Sequence, residues 1–382
     1  MKSNYDVLGN HIRLVDVRNK DNVTDRVLGI NIDKYFMPSV ANVIGTDLSK
    51  YKLISKGKFA CNPMHVGRDE RLPIALYEED IPAIVSPAYF MFEIIDTNVL
   101  NEEYLMMWFR RPEFDRICWL HTDGSVRGGI IWEDICRLEI PVPKMDEQLQ
   151  IVNTYRVITD RILLKKQIND NLEAQALSLF SKFVSLSDEN WKQGKLGDAI
   201  AAANTGGDAI QKVPIVDYDT GVKCARVGDI TNAREYASWA FCKATKAVFE
   251  NYKLQAGDIL VTRTATLGIT QYIPNDISAV YNNGLIRLKV DCKTALPLYI
   301  YWAINTTDFM NYINQMNSAT SVRPNMKIDY LLNYPLLIPP ITKQEQFTRS
   351  VEAIRTAISL NNDEILKLVE LQTTVLTTLS SR

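Results

Sequence analysis

The chain has 382 residues, 46% hydrophobic and 23% charged, which is material for two ordinary buried cores. Its formal net charge of −2 gives no whole-chain attraction to phosphate, so any nucleic-acid surface must be a local basic patch on a near-neutral body. Six cysteines (Cys61, Cys118, Cys136, Cys224, Cys242, Cys292) form no CxxC pair and three histidines (His11, His65, His121) show no ligand spacing, which argues against a zinc site and for a reduced, cytoplasmic protein.

The segment MKSNYDVLGN lacks the apolar core of a signal peptide, and no apolar run has the length of a bilayer span, so no membrane association is expected. In the first half, Ala83–Val85 and Tyr89–Ile95 read as strands broken at Ser86-Pro87, and Glu102–Phe109 reads as a helix ending near Pro112. A long helical stripe follows. Ile151, Tyr155, Ile158, Ile162, Lys165, Asn169, Leu172, Ala176, Leu179 and Phe183 alternate steps of four and three, the seam of a coiled coil with a polar middle. Ser187-Asp188-Glu189-Asn190 then breaks the apolar rhythm.

The second half repeats the order. Asp258–Arg263 and Gly284–Val290 are strand-like, and Pro297–Ile304 and Asp308–Met316 are helical. A second stripe runs through Phe347, Val351, Ile354, Ile358, Asn361, Ile365, Leu368, Gln372, Val375 and Leu379. The string IPVPKMDEQ ending at Gln148 matches IPPITKQEQ ending at Gln346, an offset of 198. The two stripes, and Ser125-Val126-Arg127 against Ser321-Val322-Arg323, are offset by 196. A heptad stripe can be slid by sevens, so the proline junction carries the case for a tandem duplication.

The expected fold is therefore α+β: two mixed α/β domains, each followed by a long helix, with the two helices paired as an antiparallel coiled coil of pseudo-two-fold symmetry. Expected bounds are 1–143, 144–186, 187–340 and 341–382. Asn361 and Lys165 on the seams cost stability but can fix register.

Those junctions, with Leu14-Val15-Asp16-Val17-Arg18-Asn19, the turn Ile84-Val85-Ser86-Pro87-Ala88-Tyr89, Leu196-Gly197-Asp198 and Gly257-Asp258-Ile259-Leu260, resemble the specificity (S) subunits of Type I restriction-modification systems, the HsdS family. The resemblance spans almost the whole chain. It implies that each domain is a target-recognition domain for one half of a bipartite double-stranded DNA sequence. It further implies that the helices set the gap and dock two modification (methyltransferase) subunits, with restriction motor subunits in the full complex. The chain would be a non-catalytic adaptor; S-adenosylmethionine, ATP and Mg would be expected on the partner subunits only.

Base reading needs donors and acceptors on loops. The loop from Cys61 to Arg71 supplies Asn62, His65, Arg68 and Arg71; a solvated hairpin is the competing reading. In the second domain Arg263, Thr264 and Thr266 follow a strand, where an ordinary polar turn competes. Asn282 and Asn283 are candidates that also read as a hairpin turn before Gly284. Arg127 and Arg323 occupy corresponding places, so phosphate or scaffold roles suit them better than base contacts.

The sequence shows no glycine-rich loop for S-adenosylmethionine, no Asn-Pro-Pro-aromatic or Asp-Pro-Pro-aromatic quartet and no P-loop. Two enzyme readings compete. Pro274-Asn275-Asp276 with Asp291-Cys292-Lys293 has the outline of a metal-dependent nuclease core, though the first half holds no counterpart. His65, Asp69 and Ser86 could form a hydrolase triad, but Ser86 lacks a GxSxG elbow. A coiled-coil scaffold with protein-binding heads is the third class.

Overall fold

The computed structural model describes residues 5–40, 45–64, 66–122, 128–317 and 325–379. The chain forms two compact units: Met1–Leu164 with Ile365–Arg382, and Lys165–Glu364. The division runs through both long helices, Met145–Ser185 and Ile341–Thr378, so the second unit is one continuous stretch and the first is assembled from the two ends of the chain. Among the described residues no helix is long and apolar enough to cross a membrane.

The first unit is built on a four-stranded antiparallel sheet with strand order Ile12–Leu14, Phe90–Ile94, Phe59–Cys61, Ile74–Leu76. Its central strand, Phe59-Ala60-Cys61, is wholly apolar because both faces are covered. Phe59 and Cys61 enter a core with Phe92, Leu105, Phe109 and Ile140, while Ala60 points the other way, toward Leu28, Ile54, Val85 and Met91. That second core lies under a smaller sheet of order Phe36–Pro38, Val27–Ile30, Ala83–Val85, Lys52–Ile54, in which Val27–Ile30 and Ala83–Val85 run parallel.

The second unit repeats this plan. Its main sheet runs Ile200–Thr205, Leu285–Val290, Ile259–Thr262, Thr270–Tyr272, again all antiparallel. Ile259 and Val261 face one core and Leu260 the other. The smaller sheet runs Ile215–Val216, Phe241–Cys242, Lys223–Ala225, Ala279–Tyr281, with the last two parallel.

In each unit the strand that precedes the long helix pairs with a strand at the unit's start: Glu139–Pro141 with Tyr5–Val7, and Pro335–Ile338 with Lys192–Lys195. A buried glutamine then fixes the helix start. Gln148 Oε1 accepts from Asn101 N at 2.8 Å, and its Nε2 donates to the Val99 and Pro143 carbonyls, both at 2.8 Å. Gln344 accepts from Leu296 N at 2.7 Å and donates to the Thr294 and Pro339 carbonyls at 3.2 and 2.8 Å. Tyr104 and Tyr299 donate to the carbonyls of Pro141 and Leu337. Leu138 and Tyr334 carbonyls accept from Leu8 N and Leu196 N.

These pairs correct the sequence alignment of the junction. Leu138 with Tyr334, Pro141 with Leu337, Pro143 with Pro339 and Gln148 with Gln344 are all 196 apart, so the string match at 198 is slipped by two. The counterpart of Gln148 is Gln344; Gln346 is exposed. The junction thus has the same offset as the helical stripes.

Within each unit the halves of the long helices lie antiparallel. In the first, Gln372 Nε2 donates to Thr159 Oγ1 at 2.8 Å, and Leu379 shares a core with Val152. In the second, Phe347 packs on Phe180 and Phe183, with ring centroids 5.4 and 5.1 Å apart. Further along, Lys165 Nζ donates to Asn361 Oδ1 at 2.9 Å and Asn361 Nδ2 to Asn169 Oδ1 at 2.8 Å. Lys165 also pairs with Glu364 at 2.9 Å. These polar seam residues satisfy one another, as a register device requires.

Of the seam positions read from sequence, Ile158, Ile162, Phe347 and Val351 are buried, and Ile151, Tyr155, Leu172, Ile354, Ile358, Ile365 and Leu368 are half-buried. Leu179 is 38% exposed, and Phe180 takes its place in the core. The step from Ala176 to Phe180 is four where the heptad calls for three, because the helix there packs on the globular core rather than only on its partner helix.

Candidate nucleic-acid interface

Each main sheet ends in a cluster of loops built on the same backbone ties. In the second unit the strand Ile259–Thr262 closes over buried Thr262, whose Oγ1 accepts from Ile269 N at 2.9 Å and whose carbonyl accepts from Gly268 N at 3.0 Å. Ala265 and Gly268 are left-handed, φ 61° and 80°, which turns the chain at the loop's tip. Thr264 is half-buried and Thr266 exposed.

Arg263 is the fastener of this cluster. Its amide donates to the Gly284 carbonyl at 2.9 Å, and its carbonyl accepts from Met326 N at 2.8 Å. Its guanidinium reaches the carbonyls of Met326 (Nε, 3.2 Å) and Asn283 (Nη1, 3.3 Å) and the Asn325 side-chain oxygen (Nη2, 2.7 Å). Asn282 accepts from Gly284 N at 3.2 Å with its own side chain, while exposed Asn283 donates its amide to Gly207 O at 2.9 Å. A Cβ on Gly206 would stand 2.2 Å from the Tyr281 carbonyl oxygen, so only glycine permits this approach. The structure therefore brings Arg263, Thr264, Thr266, Asn282 and Asn283 together and adds Gly206, Gly207 and Asn325, which the sequence analysis missed.

In the first unit the loop after Phe59–Cys61 occupies the same place. Asn62 Oδ1 accepts from Met64 N at 3.1 Å, making a local turn, and the Pro63 carbonyl accepts from Ile130 N at 3.2 Å. That tie matches the one between Arg263 and Met326. Val66–Asp69 forms a single helical turn carrying the Arg68 backbone. Arg71 pairs with Asp33 at 2.9 Å. His65, Arg127, Arg323 and the Arg68 side chain lie outside the described residues; Ile130 and Met326 follow Arg127 and Arg323 by three residues each.

Beside the first loop sits a buried ion pair that the sequence did not signal. Lys34, left-handed at φ 69°, ends a hairpin turn and sends its ammonium to Asp115 at 2.7 Å and to the Phe109 carbonyl. Asp115 also accepts from Leu72 N at 3.1 Å. Burial pulls the Lys34 ammonium below its ordinary range, and Asp115 opposes that shift. The pair ties the small-sheet hairpin to the loop's return. Arg71, Arg110 and Arg116 line the adjoining cleft of about 610 Å³.

The carboxylates of the nuclease reading are taken up by backbone and hydroxyl donors, Asp291 within a local turn and Asp276 across 20 residues. Asp276 accepts from Ala256 N at 2.9 Å, and Asp291 accepts from Lys293 N at 3.1 Å and Thr294 Oγ1 at 3.0 Å. Ser86, of the triad reading, accepts from Ala88 N at 3.3 Å, as in an ordinary turn. Among the described residues no group of three or more His, Cys, Asp and Glu is placed to hold a metal ion.

Residues 188–371 match the family described as Type I restriction modification DNA specificity domain. No curated protein matches the sequence. Among solved structures, the S subunit of the Type-I restriction-modification system from M. genitalium aligns over 99% of this chain and 96% of its own, at TM-score 0.55 and 14% identity. A chain from a structural study of complex assembly and conformational transition of the type I R-M system aligns over 98% and 96%, at TM-score 0.44 and 14% identity. The HsdS subunit from Thermoanaerobacter tengcongensis aligns over 98% and 95%, at TM-score 0.36 and 15% identity. Residues 188–371 thus carry a Type I restriction modification DNA specificity domain, and the duplicated fold is shared along the chain's length with that of an S subunit.

Proposed function

We infer that the chain is the specificity subunit of a Type I restriction-modification complex, each unit reading one half of a bipartite double-stranded DNA sequence through its loop cluster. The observation that carries this reading is the repeated tie, Pro63 to Ile130 and Arg263 to Met326. It holds loops of unlike side chains at the same end of the same sheet. A common scaffold with divergent loop chemistry is what two different half-sites demand.

Thr264, Thr266 and Asn283 are the groups of the second cluster free to meet base edges, with Arg263 holding them in place. Asn62, His65, Arg68 and Arg71 are their counterparts in the first, and Arg127 and Arg323 serve as phosphate anchors. The long helices dock two modification subunits, and restriction motor subunits join the full complex. Exposed Leu149, Val157 and Leu371, which line one groove of the first unit's helices, suit such docking. The chain is a non-catalytic adaptor; S-adenosylmethionine, ATP and Mg belong to those partners.

The test is methylation. Purified alone, the chain neither methylates nor cuts DNA; with its modification partner it directs adenine methylation to a bipartite site. Magnesium-dependent cleavage by the isolated chain, abolished by Asp291→Ala, would replace this reading with the nuclease. If the helices set the gap, one added heptad lengthens one of them by about 10 Å. That is about three base pairs of DNA, so full activity at the original gap would show that they do not.

A further inference from the structure

Both units have a cavity in a similar crotch, between the edge strand of the main sheet, a following helix and a long helix: Met145–Ser185 in the first unit, and parts of both long helices in the second. In the first unit it holds about 300 Å³ and is lined by Leu76, Met106, Met107, Glu103, Arg156 and Thr159 among others. In the second it holds about 430 Å³, with Tyr272, Tyr301, Trp302, Arg355, Glu173 and Glu235 in its wall. The positions correspond. Leu76 and Tyr272, and Thr159 and Arg355, are 196 apart, and Met106-Met107 and Tyr301-Trp302 fall alike after the amides held by the junction glutamines.

The chemistry of the two walls does not correspond. In the first unit Glu103 and Arg156 neutralise each other as an ion pair. In the second, Arg355 lies over the Tyr272 ring at 4.7 Å and makes no ion pair with any described residue. Glu173, at the solvent mouth, has none either, and the Glu235 carboxylate accepts, among the described residues, from Asn362 Nδ2 at 2.8 Å. The Tyr301 hydroxyl has no hydrogen bond among the described residues, and both carboxyls and Arg355 lie within its electrostatic reach. Trp302 is 3% exposed and lines the cavity, and its indole N–H has no partner.

Burial holds the Glu235 carboxyl above its ordinary range, against the opposing pull of the Asn362 amide and of Arg355. A cation, two carboxyls and a phenol that do not satisfy one another, facing one space with an apolar side of Ile269, Met310 and Ile358, are complementary to a ligand carrying both charges.

We propose that this cavity binds a small zwitterion of the amino-acid type. Its ammonium lies between Glu173 and Glu235, its carboxylate meets Arg355, and its side chain rests on the isoleucine and methionine wall. The site adjoins the base of the second unit's loop at Gly268 and Ile269, and the equivalent cavity of the first unit does not share its chemistry.

The experiment is a thermal-shift panel of the L-amino acids against the full chain, followed by calorimetric titration of the best. At least one is expected to bind saturably. The amine lacking its carboxylate, and the acid lacking its amine, should each bind at least about tenfold more weakly. Arg355→Gln should bring the amino acid down to the affinity of the amine, and Glu235→Gln to that of the acid. Both variants must keep the wild-type melting profile without ligand to within a few degrees. No saturable binding by any amino acid, or binding indifferent to both substitutions, would overturn the proposal.

Discussion

The two units share a backbone and differ in how they hold charge. Both carry the same four-strand order in the main sheet, the same buried glutamine at the helix start and the same tie under the loop cluster. The smaller sheets agree in three strands and differ in the fourth: Lys52–Ile54 pairs beside Ala83–Val85 in the first unit, whereas Ile215–Val216 adds at the opposite edge in the second. The first unit buries a Lys34–Asp115 pair; the second buries Asp229 under Arg226 (Nε, 2.9 Å) and Arg234 (Nη1, 3.3 Å). The lesson concerns what duplication preserves. Hydrogen bonds that start a helix or close a sheet are repeated, while edge strands and charged ties, which need only be satisfied locally, have diverged.

Breaking a divergent tie should give the largest effect. Asp115→Ala leaves the Lys34 ammonium buried without its counter-charge and should destabilise the first unit by about 3–5 kcal/mol. Urea unfolding should then show an early transition that leaves the second unit folded. A loss below about 1 kcal/mol would mean that the pair is solvated.

The shared clamp comes next. Gln148→Ala and Gln344→Ala each strand one buried N–H and two carbonyls and should cost about 2–3 kcal/mol apiece in urea melts. Gln346→Ala should stay within about 0.5 kcal/mol, since that side chain is exposed. Equal losses at Gln344 and Gln346 would undo the corrected junction alignment.

At the loops, Thr266→Ala should relax preference at one position of one half-site by about 1 kcal/mol. Arg263→Ala should weaken binding over that whole half-site, because it releases Asn283 and Asn325 together. Titrations against single-base variants separate the two; a loss confined to one base for Arg263→Ala would make it a reader instead of a fastener.

The smallest effect concerns pH. Burial raises the Glu235 carboxyl, so the stability its neutral form confers is present below the ordinary carboxylate range and lost as pH rises through the raised value. Glu235→Gln should therefore match the wild type near pH 4 and melt about a degree or two higher near pH 8. The reverse order would contradict the burial.

Much of the fold was legible because the signals were periodic or punctuated. The helix Glu102–Phe109 appears with the bounds read from sequence, set by Asn101 accepting from Tyr104 N at 3.0 Å. In the sequence Pro112 marks only a stop, yet it is the first residue of the helix Pro112–Leu120, where proline's missing N–H costs nothing. Matching letters align the junction two residues away from the register that the side-chain contacts of Gln148 and Gln344 fix in the structure. The loop candidates of the second unit were found as separate polar stretches; their convergence depends on long-range ties such as Arg263 to Asn325, which no local pattern shows. Lys34 and Asp115 are 81 residues apart and gave no signal at all.

The central claim, two equivalent clusters each reading its own half-site, is tested most directly by mapping methylated sites after changing one cluster alone. With its modification partners, a chain carrying alanine at Thr264 and Thr266 should methylate sites degenerate in one half, with the other half and the gap unchanged. Degeneracy in both halves, or an unaltered site, would contradict it.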